Sequence, residues 1–489
     1  MNATARTEGT GRLFLEALRL DTDPVGEVRR RIDRALELDV GGFLLFGAGA
    51  DAAARLAEEI LAAADGPLWL AADLERGAGQ QLLGMTTFPP PAALARHPEP
   101  LSATRAAARR TAVEARALGL NLALAPVLDL DVEPRNPIVG TRAFSEDPAV
   151  VAKLGSGWIE SCQAAGVAAC AKHFPGHGRT TADSHAELPL VAADRDALQA
   201  DLHPFRAVAS EVACVMTAHV AYPSLGGPGP ATLDPGILRD LLRRELRFDG
   251  LVLTDALNLS GVGGTGANPA VEALRAGCDL LLYPPDLPSA VRAVETVADR
   301  DPGIADRVRE ALSRGRRVLD RFPPAPGPPA PESGTDEPSP EAIAAACVVP
   351  VGGPPPEWLT RSASVTVATL WDDREEPARP PFGEGFRATL LDRGWDVAAP
   401  GASPDGPLIV LVASTPQAWK GTAALSPTGE AALAGALARD RSFPIVFGHS
   451  RVLEAARRAG LCAWATEPAM EIAAAARLDE LVRRRTITR

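Results

Sequence analysis

Cysteine pairs and long apolar runs are both missing from this sequence. None of the six cysteines belongs to a C-x-x-C pair, and most lie in apolar stretches, so we expect buried, reduced thiols. No run of about 18 apolar residues occurs, which argues against a membrane-spanning helix. The N-terminal residues contain no apolar segment of the kind found in signal peptides. A cytoplasmic location is the resulting expectation.

A net positive charge is also missing. The chain has 50 Lys and Arg residues against 62 Asp and Glu residues, and its formal net charge is −12. Phosphate binding needs clustered cationic side chains, so we expect neither nucleic acid nor an anionic membrane as a partner. Lysine occurs only at Lys153, Lys172 and Lys420, in a chain rich in arginine. A lysine kept in such a chain suggests a place that needs a compact ammonium group.

A proline-rich stretch divides the chain. Residues 322–340 read FPPAPGPPAPESGTDEPSP, and proline at this density is incompatible with a helix or a central strand. We therefore predict a linker there, a first domain over residues 1–321 and a second domain over residues 341–489.

The first part alternates short apolar runs with helical segments rich in Ala, Arg and Glu. This alternation is typical of parallel strands covered by helices, and eight strands in roughly 300 residues predict an N-terminal TIM-like (β/α)8 barrel. A doubly wound open sheet remains the alternative, because periodicity does not show closure. The runs are LFLEAL (13–18), GFLLF (42–46), LWLAAD (68–73), LNLALAP (120–126), VAACAKH (167–173), ACVMTAH (213–219), LVLTD (251–255) and DLLLY (279–283).

The second part repeats the pattern more weakly and predicts a smaller α/β sandwich domain. Its expected strands are SVTVATL (364–370), PLIVLVAS (407–414) and FPIVFGH (443–449).

Polar residues stand at the ends of several expected barrel strands. They are Asp73, the pair Lys172–His173, His219 and Asp255. Active sites of such barrels lie at the C-terminal ends of the strands, so we expect these side chains to lie close together. Asp255 could equally serve as the N-cap of a following helix.

The densest chemical signal is residues 172–185, KHFPGHGRTTADSH, which contain His173, His177 and His185. Histidine is the commonest general acid or base, and the Gly and Pro residues predict a loop. A metal site from His173, His177 and Asp183 is the less favoured alternative, because no helix can present these ligands across Pro175 and Gly176. We expect neither metal nor cofactor. Asp183 is placed to orient His185, although D-x-H alone is a weak pattern.

A loop after the fourth strand, NPIVGTRAFSEDP (136–148), contains Arg142. Its guanidinium is suited to sugar hydroxyls or a carboxylate, and a surface salt bridge is the simpler alternative.

These motifs together resemble family 3 glycoside hydrolases, and in particular their β-N-acetylglucosaminidase branch. The resemblance covers about residues 12–320. The matching pieces, in order, are GGFLLFG (41–47), AADLE (71–75), APVLDLDVEPRNPIVGTRAFSEDP (125–148), AKHFPGHGRTTADSH (171–185), DLHPF (201–205), VMTAHVAYP (215–223) and GLVLTDAL (250–257).

The resemblance implies a retaining mechanism through a covalent glycosyl-enzyme. Asp255 matches the nucleophile, and His185, oriented by Asp183, matches the general acid/base. The residues that match contacts to the sugar are Asp73, Arg142, Lys172 and His173. One departure concerns the segment DLERGAGQQ (73–81), which lacks two arginines that many members have, and Gln81 replaces one that would help to bind substrate.

The predicted function is removal of a terminal, non-reducing β-linked N-acetylglucosamine, with muropeptide recycling as a possible setting. The only partner expected is this small carbohydrate, and the oligomeric state is left open. The alternatives are a phosphorylase, a β-glucosidase or xylosidase, and a sugar-binding protein without activity.

Overall fold

The computed structural model describes residues 9–182, 187–262, 268–325, 337–372, 382–399, 406–414 and 424–487. The chain divides into two compact units. The first consists of Met1–Thr87, Thr104–Val132 and Ser145–Glu337, and the second of Phe88–Ala103, Glu133–Phe144 and Pro338–Arg489.

The first unit is built on a sheet of eight parallel strands in the order β8-β1-β2-β3-β4-β5-β6-β7. A parallel bridge between Leu253 and Leu280 joins the two edges of this sheet, so the prediction of a barrel is confirmed. The strands are β1 (Phe14–Arg19), β2 (Gly42–Phe46), β3 (Trp69–Ala72), β4 (Leu122–Ala123), β5 (Ala168–Phe174), β6 (Cys214–Thr217), β7 (Leu251–Leu253) and β8 (Leu281–Leu282).

Helices connect consecutive strands, and several begin at an Asp or Asn followed closely by proline. The side chains of Asp147, Asn268, Asp286 and Asp301 each accept a hydrogen bond from a backbone N–H in the first helical turn. Such caps satisfy N–H groups that have no partner within the helix. The helices are Val25–Glu37, Ala50–Ala63, Pro100–Ala117, Pro148–Ala164, Leu198–Val208, the π-helix Gly236–Glu245, Pro269–Ala276, Leu287–Ala298 and Pro302–Arg321.

Apolar side chains from alternate strand positions fill the barrel. Leu15, Leu44, Leu122, Cys170 and Leu251 belong to one buried cluster, as expected for an interior that is packed rather than hollow. The catalytic chemistry of such a unit is therefore confined to its mouth. None of the described helices combines the length and apolarity needed to cross a membrane.

The second unit contains a six-stranded sheet covered by helices, which confirms the predicted α/β sandwich. The strand order is β9-β14-β13-β12-β10-β11, parallel except for the antiparallel pair of β9 and β14. The strands are β9 (Val349–Val351), β10 (Val365–Trp371), β11 (Val397–Ala398), β12 (Leu408–Ser414), β13 (Ser442–Gly448) and β14 (Gly460–Cys462). The helices are Pro91–Leu94, Pro340–Cys347, Glu384–Asp392, Pro427–Leu437, Arg451–Ala456 and Pro468–Ile487.

Candidate active site

Five polar positions singled out from the sequence lie at or just beyond the carboxyl ends of barrel strands. Asp73 directly follows β3, Lys172 and His173 lie in the last residues of β5, and Asp255 comes two residues after β7. Because all eight strands are parallel, these ends meet at one mouth of the barrel. His219 follows β6 at the same mouth and is fully buried.

Lys172 is held between two carboxylates. Its Nζ donates a hydrogen bond to Asp73 Oδ1 at 2.7 Å and forms an ion pair with Glu75 Oε1 at the same distance. The side chains of Lys172 and Glu75 are 2% and 4% exposed, whereas that of Asp73 is 29% exposed. A buried ammonium needs such partners, since it has lost its hydration. Asp73 is thus the most exposed member of this trio.

His173 is held by the carboxylate of Asp129, which is fully buried. Asp129 Oδ2 lies 2.7 Å from His173 Nδ1, while Oδ1 accepts the backbone N–H groups of His173 at 3.1 Å and His177 at 2.6 Å. Burial opposes ionisation of Asp129, but His173 and His177 hold its pKa below the usual value. The carboxylate therefore stays ionised and fixes both the ring and the chain that follows it.

His177 is a structural residue of the loop after β5. Burial, which outweighs the attraction of Asp129, lowers the pKa of His177 to about 4, so the ring is neutral near pH 7. Its Nδ1 lies 2.9 Å from Thr180 Oγ1. This arrangement favours a bracing role over catalysis for His177.

Glycine is required where this loop packs closely. A Cβ at Gly178 would overlap the carbonyl oxygen of Leu130, and Gly176 has a φ of +132°, which side chains rarely adopt. The carbonyl of Gly176 accepts the hydroxyl of buried Tyr222 at 2.7 Å. The described part of the loop is thus bonded closely to the barrel.

Asp255 is kept ionised by its surroundings. Burial alone would raise the pKa of its carboxyl, but His219, His173, the backbone N–H of Ala256 and Lys172 hold it below the usual value. Its Oδ1 accepts that N–H at 2.8 Å. An ionised carboxylate at the barrel mouth has the charge that a nucleophile requires.

His219 supports the segment that carries Asp255. Its Nε2 lies 3.1 Å from the carbonyl oxygen of Ala256 and its Nδ1 lies 2.7 Å from Thr232 Oγ1. Because a carbonyl oxygen only accepts, Nε2 carries a proton and donates a hydrogen bond to the carbonyl of Ala256. His219 therefore fixes the peptide next to the proposed nucleophile.

The structure places four of the predicted site residues at one mouth of the barrel. Asp73, Lys172, His173 and Asp255 lie at the barrel mouth, whereas Asp183 and His185 lie outside the described residues. Arg142 ends the 3-10 helix Gly140–Arg142, in the second compact unit, where its Nη1 donates to the carbonyl of Ile138 at 3.1 Å. The functional roles of all seven residues stay predictions.

The departure noted at residues 73–81 has a structural consequence. Gln81 Oε1 accepts the backbone N–H of Gly47 at 3.2 Å, and Gln80 Oε1 accepts the N–H of Arg76 at 3.0 Å. Both amides therefore support the loop after β3.

In the described ranges, no group of three His, Cys, Asp or Glu side chains is arranged to hold a metal ion.

Sequence reasoning missed Glu75, Asp129 and the positioning role of His219. Glu75 stands two residues from Asp73 in a motif already recognised, and this spacing was an available signal. Asp129 follows the apolar run of the fourth strand, as Asp73 follows that of the third. Its contact with His173 depends on the pairing of strands, which sequence spacing does not show.

Comparison with known proteins agrees with this geometry. The profile of the glycosyl hydrolase family 3 N-terminal domain matches residues 29–318. The β-hexosaminidase of Pseudomonas aeruginosa (strain LESB58) is 39% identical over 262 residues, which are 52% of this chain and 78% of that protein. A β-hexosaminidase of Idiomarina loihiensis is 36% identical over 290 residues, 57% of this chain and 87% of that protein.

Solved structures align with nearly all of this chain or with about two thirds of it. A glycoside hydrolase family 3 β-N-acetylglucosaminidase from Paenibacillus sp. str. FPU-7 aligns with a TM-score of 0.81 at 25% identity, over 98% of this chain and 97% of that one. NagZ from Neisseria gonorrhoeae, in complex with N-trifluoroacetyl-D-glucosamine, aligns with a TM-score of 0.51 at 29% identity, over 63% of this chain and 93% of that one. A β-glucoside phosphorylase, at 18% identity and a TM-score of 0.82, shares the fold alone.

Proposed function

The chain belongs to glycosyl hydrolase family 3 and is a glycoside hydrolase, and we propose that it is an exo-acting, retaining β-N-acetylhexosaminidase. Its substrate would be a terminal, non-reducing, β-linked N-acetylglucosamine. The names of the relatives, β-hexosaminidase and β-N-acetylglucosaminidase, support this substrate class.

The proposed mechanism is a double displacement. Asp255 attacks the anomeric carbon and forms a covalent glycosyl-enzyme, while His185 protonates the leaving oxygen. His185, oriented by Asp183, then takes a proton from the water that releases the sugar. Asp73, Arg142, Lys172 and His173 are proposed to bind the hydroxyls of the sugar. A histidine that has given up its proton is neutral, so it adds no second negative charge beside Asp255.

One observation carries this proposal: Asp255 is held ionised at the barrel mouth, among groups that suit a polyhydroxylated ligand. Asp73 offers a partly exposed carboxylate that accepts hydrogen bonds, and Lys172 beside it offers N–H donors. A donor and an acceptor side by side match a pair of neighbouring sugar hydroxyls. Sites of this kind discriminate strongly, because a missing hydroxyl leaves a buried polar group unpaired.

The charge at the described part of the barrel mouth favours water over phosphate as the second acceptor. Asp73, Glu75, Asp129 and Asp255 supply four carboxylates, and Lys172 supplies one ammonium group. A site with excess negative charge stabilises the developing positive charge of an oxocarbenium-like transition state. The same charge repels an incoming phosphate. This supports hydrolysis over phosphorolysis.

The physiological setting we propose is the recycling of muropeptides from the cell wall. The substrates would be fragments that carry N-acetylglucosamine on anhydromuramic acid. This part of the proposal follows from the substrate class alone.

The test is turnover of 4-nitrophenyl β-N-acetylglucosaminide, with and without phosphate, by the wild type and by Asp255→Ala. Asp249→Ala is a matched control, because Asp249 precedes β7, the strand that Asp255 follows, and its side chain is 81% exposed. We expect free N-acetylglucosamine as the product, no effect of phosphate, loss of turnover in Asp255→Ala and ordinary turnover in Asp249→Ala.

Three results would contradict the proposal. N-acetylglucosamine 1-phosphate as the main product would identify a phosphorylase. Faster turnover of the glucoside or xyloside than of the N-acetylglucosaminide would move the assignment to those substrates. Full activity in Asp255→Ala would mean that another residue is the nucleophile.

A further inference from the structure

Asp129 is a fully buried carboxylate near the barrel mouth. It accepts three hydrogen bonds, one from an imidazole and two from backbone N–H groups. Because both N–H groups contact Oδ1, Oδ2 is the oxygen that faces Nδ1 of His173. The direction of each bond is therefore determined by chemistry, since an ionised carboxylate only accepts.

We propose that Asp129 is a positioning residue that fixes the tautomer of His173. With Oδ2 as an obligate acceptor, Nδ1 of His173 must carry a proton. An imidazole that carries one proton, at Nδ1, has a bare acceptor at Nε2. Within the described ranges, no protein group hydrogen-bonds Nε2 of His173.

The consequence concerns sugar recognition, and this inference rests on the proposed function because it takes a sugar hydroxyl as the group that His173 meets. A bare Nε2 accepts a hydrogen bond from a hydroxyl and cannot donate one. Lys172 has the opposite character, because an ammonium group only donates. Adjacent residues of β5 would thus require hydroxyls in opposite hydrogen-bonding roles, one as donor to His173 and one as acceptor from Lys172.

Asparagine at position 129 should reverse the role of Nε2. The two backbone N–H groups of His173 and His177 demand an acceptor, so the amide oxygen would stay where Oδ1 is now. The amide NH2 would then face His173 Nδ1 and donate to it. The ring proton would move to Nε2, which would become a donor. The alternative rotamer of the asparagine would place its NH2 group against the backbone N–H groups of His173 and His177, which are also donors and could not bond to it.

Deoxy and deoxyfluoro aryl N-acetylglucosaminides, modified in turn at C3, C4 and C6, distinguish the two roles. Fluorine cannot donate a hydrogen bond but can accept one weakly. At the sugar position that meets His173, we expect the kcat/KM of the wild type to be roughly 3–10-fold lower for the fluoro sugar than for the unmodified sugar. We also expect its kcat/KM to be no higher for the fluoro sugar than for the deoxy sugar. Asp129→Asn should turn the fluoro sugar over better than the deoxy sugar.

Ratios between enzymes remove the inductive effect of fluorine, because it is common to both. Asp131→Asn is the matched control, since Asp131 is buried on the same segment and its carboxylate is not among the described hydrogen-bond partners of His173. This variant should keep the wild-type ratio of fluoro to deoxy substrate. An unchanged ratio in Asp129→Asn, or a wild type that prefers fluoro over deoxy at every position, would overturn the inference.

Nitrogen-15 NMR of histidine-labelled wild-type enzyme tests the tautomer without any substrate, with His173→Gln to assign the resonances. We expect a protonated Nδ1 and an unprotonated Nε2. A protonated Nε2, alone or with Nδ1, would overturn the inference even if Asp129→Asn did not fold. Failure of the proposed function is separate: the unmodified aryl N-acetylglucosaminide would not be turned over, whatever the tautomer.

Discussion

Replacing Glu16 by glutamine should change how the stability of the barrel depends on pH. Glu16 lies in β1, and its side chain is 10% exposed. Its Oε1 accepts a hydrogen bond from Arg31 at 3.3 Å, while Oε2 is buried with no hydrogen-bond partner in the described ranges. Burial, opposed by Arg31 and Arg34, raises the pKa of Glu16 to about 7.

The direction of the pH effect follows from the difference in proton binding between the folded and unfolded states. The usual value of 4.5 applies in the unfolded chain, so the folded state binds the proton more tightly. Below pH 4.5 both states are protonated and Glu16 costs nothing. As pH rises towards 7, the unfolded chain ionises while the folded one does not, and stability falls. A shift from 4.5 to about 7 amounts to about 3 kcal/mol at alkaline pH, at 1.36 kcal/mol per unit.

Glutamine keeps the shape of the side chain and removes the ionisation. The free energy of unfolding of Glu16→Gln, relative to wild type, should therefore rise by about 2–3 kcal/mol between pH 5 and pH 8. Urea unfolding at both pH values measures this change, and any constant offset from the lost contact with Arg31 cancels. Glu27→Gln is the control, because Glu27 is exposed and its pKa is lowered by Arg30, so only a small change is expected. An unchanged difference between pH 5 and pH 8 would show that Arg31 compensates fully for burial.

Three further predictions concern other parts of the molecule. Glu75→Gln should lower kcat/KM by roughly 10–100-fold without unfolding the enzyme, because Lys172 loses one charge-assisted hydrogen bond of about 1.5–3 kcal/mol. Steady-state kinetics on the aryl substrate would measure this decrease in kcat/KM. Asp279→Ala should lower the free energy of unfolding by about 3–5 kcal/mol and leave KM unchanged, because it removes the fully buried carboxylate that Arg243, Arg307 and Arg314 contact. Urea unfolding and steady-state kinetics would measure the two quantities, and an unchanged free energy of unfolding or a raised KM would contradict this prediction. The six cysteines are buried, and burial raises the pKa of their thiols, so a thiol reagent should label them only in denaturant.

Most of the barrel was accessible from the sequence because its strands are continuous apolar runs. The predicted run 42–46 is the observed β2, but the run 120–126 yields only Leu122–Ala123 as a regular strand. The run ends in Pro126, which has no N–H for the ladder, although its carbonyl still accepts the N–H of Lys172 at 3.1 Å. Local pattern thus predicted where the chain crosses the barrel, and proline chemistry decided how regular the crossing is.

The composition of the second unit was not accessible in the same way. Phe88–Ala103 and Glu133–Phe144 belong to it although both precede the proline-rich stretch. The second of these segments showed no apolar period, yet Ile138, Val139 and Ala143 form a buried cluster within it. Periodicity describes regular elements, whereas an irregular segment buries apolar groups wherever tertiary structure offers a surface.

The residues found and missed at the barrel mouth differ in what their side chains must do. Asp73, Lys172 and Asp255 would act on a ligand, and such groups stand at strand ends where fold geometry alone makes them candidates. Asp129 and Glu75 act on other side chains, so their importance exists only once strands pair. Each nevertheless obeys a rule that sequence can supply: a buried ammonium or imidazole with a fixed role needs an acceptor. Asking which carboxylate serves each proposed ligand-binding cation would have selected Glu75, two residues from Asp73 and on the same strand end.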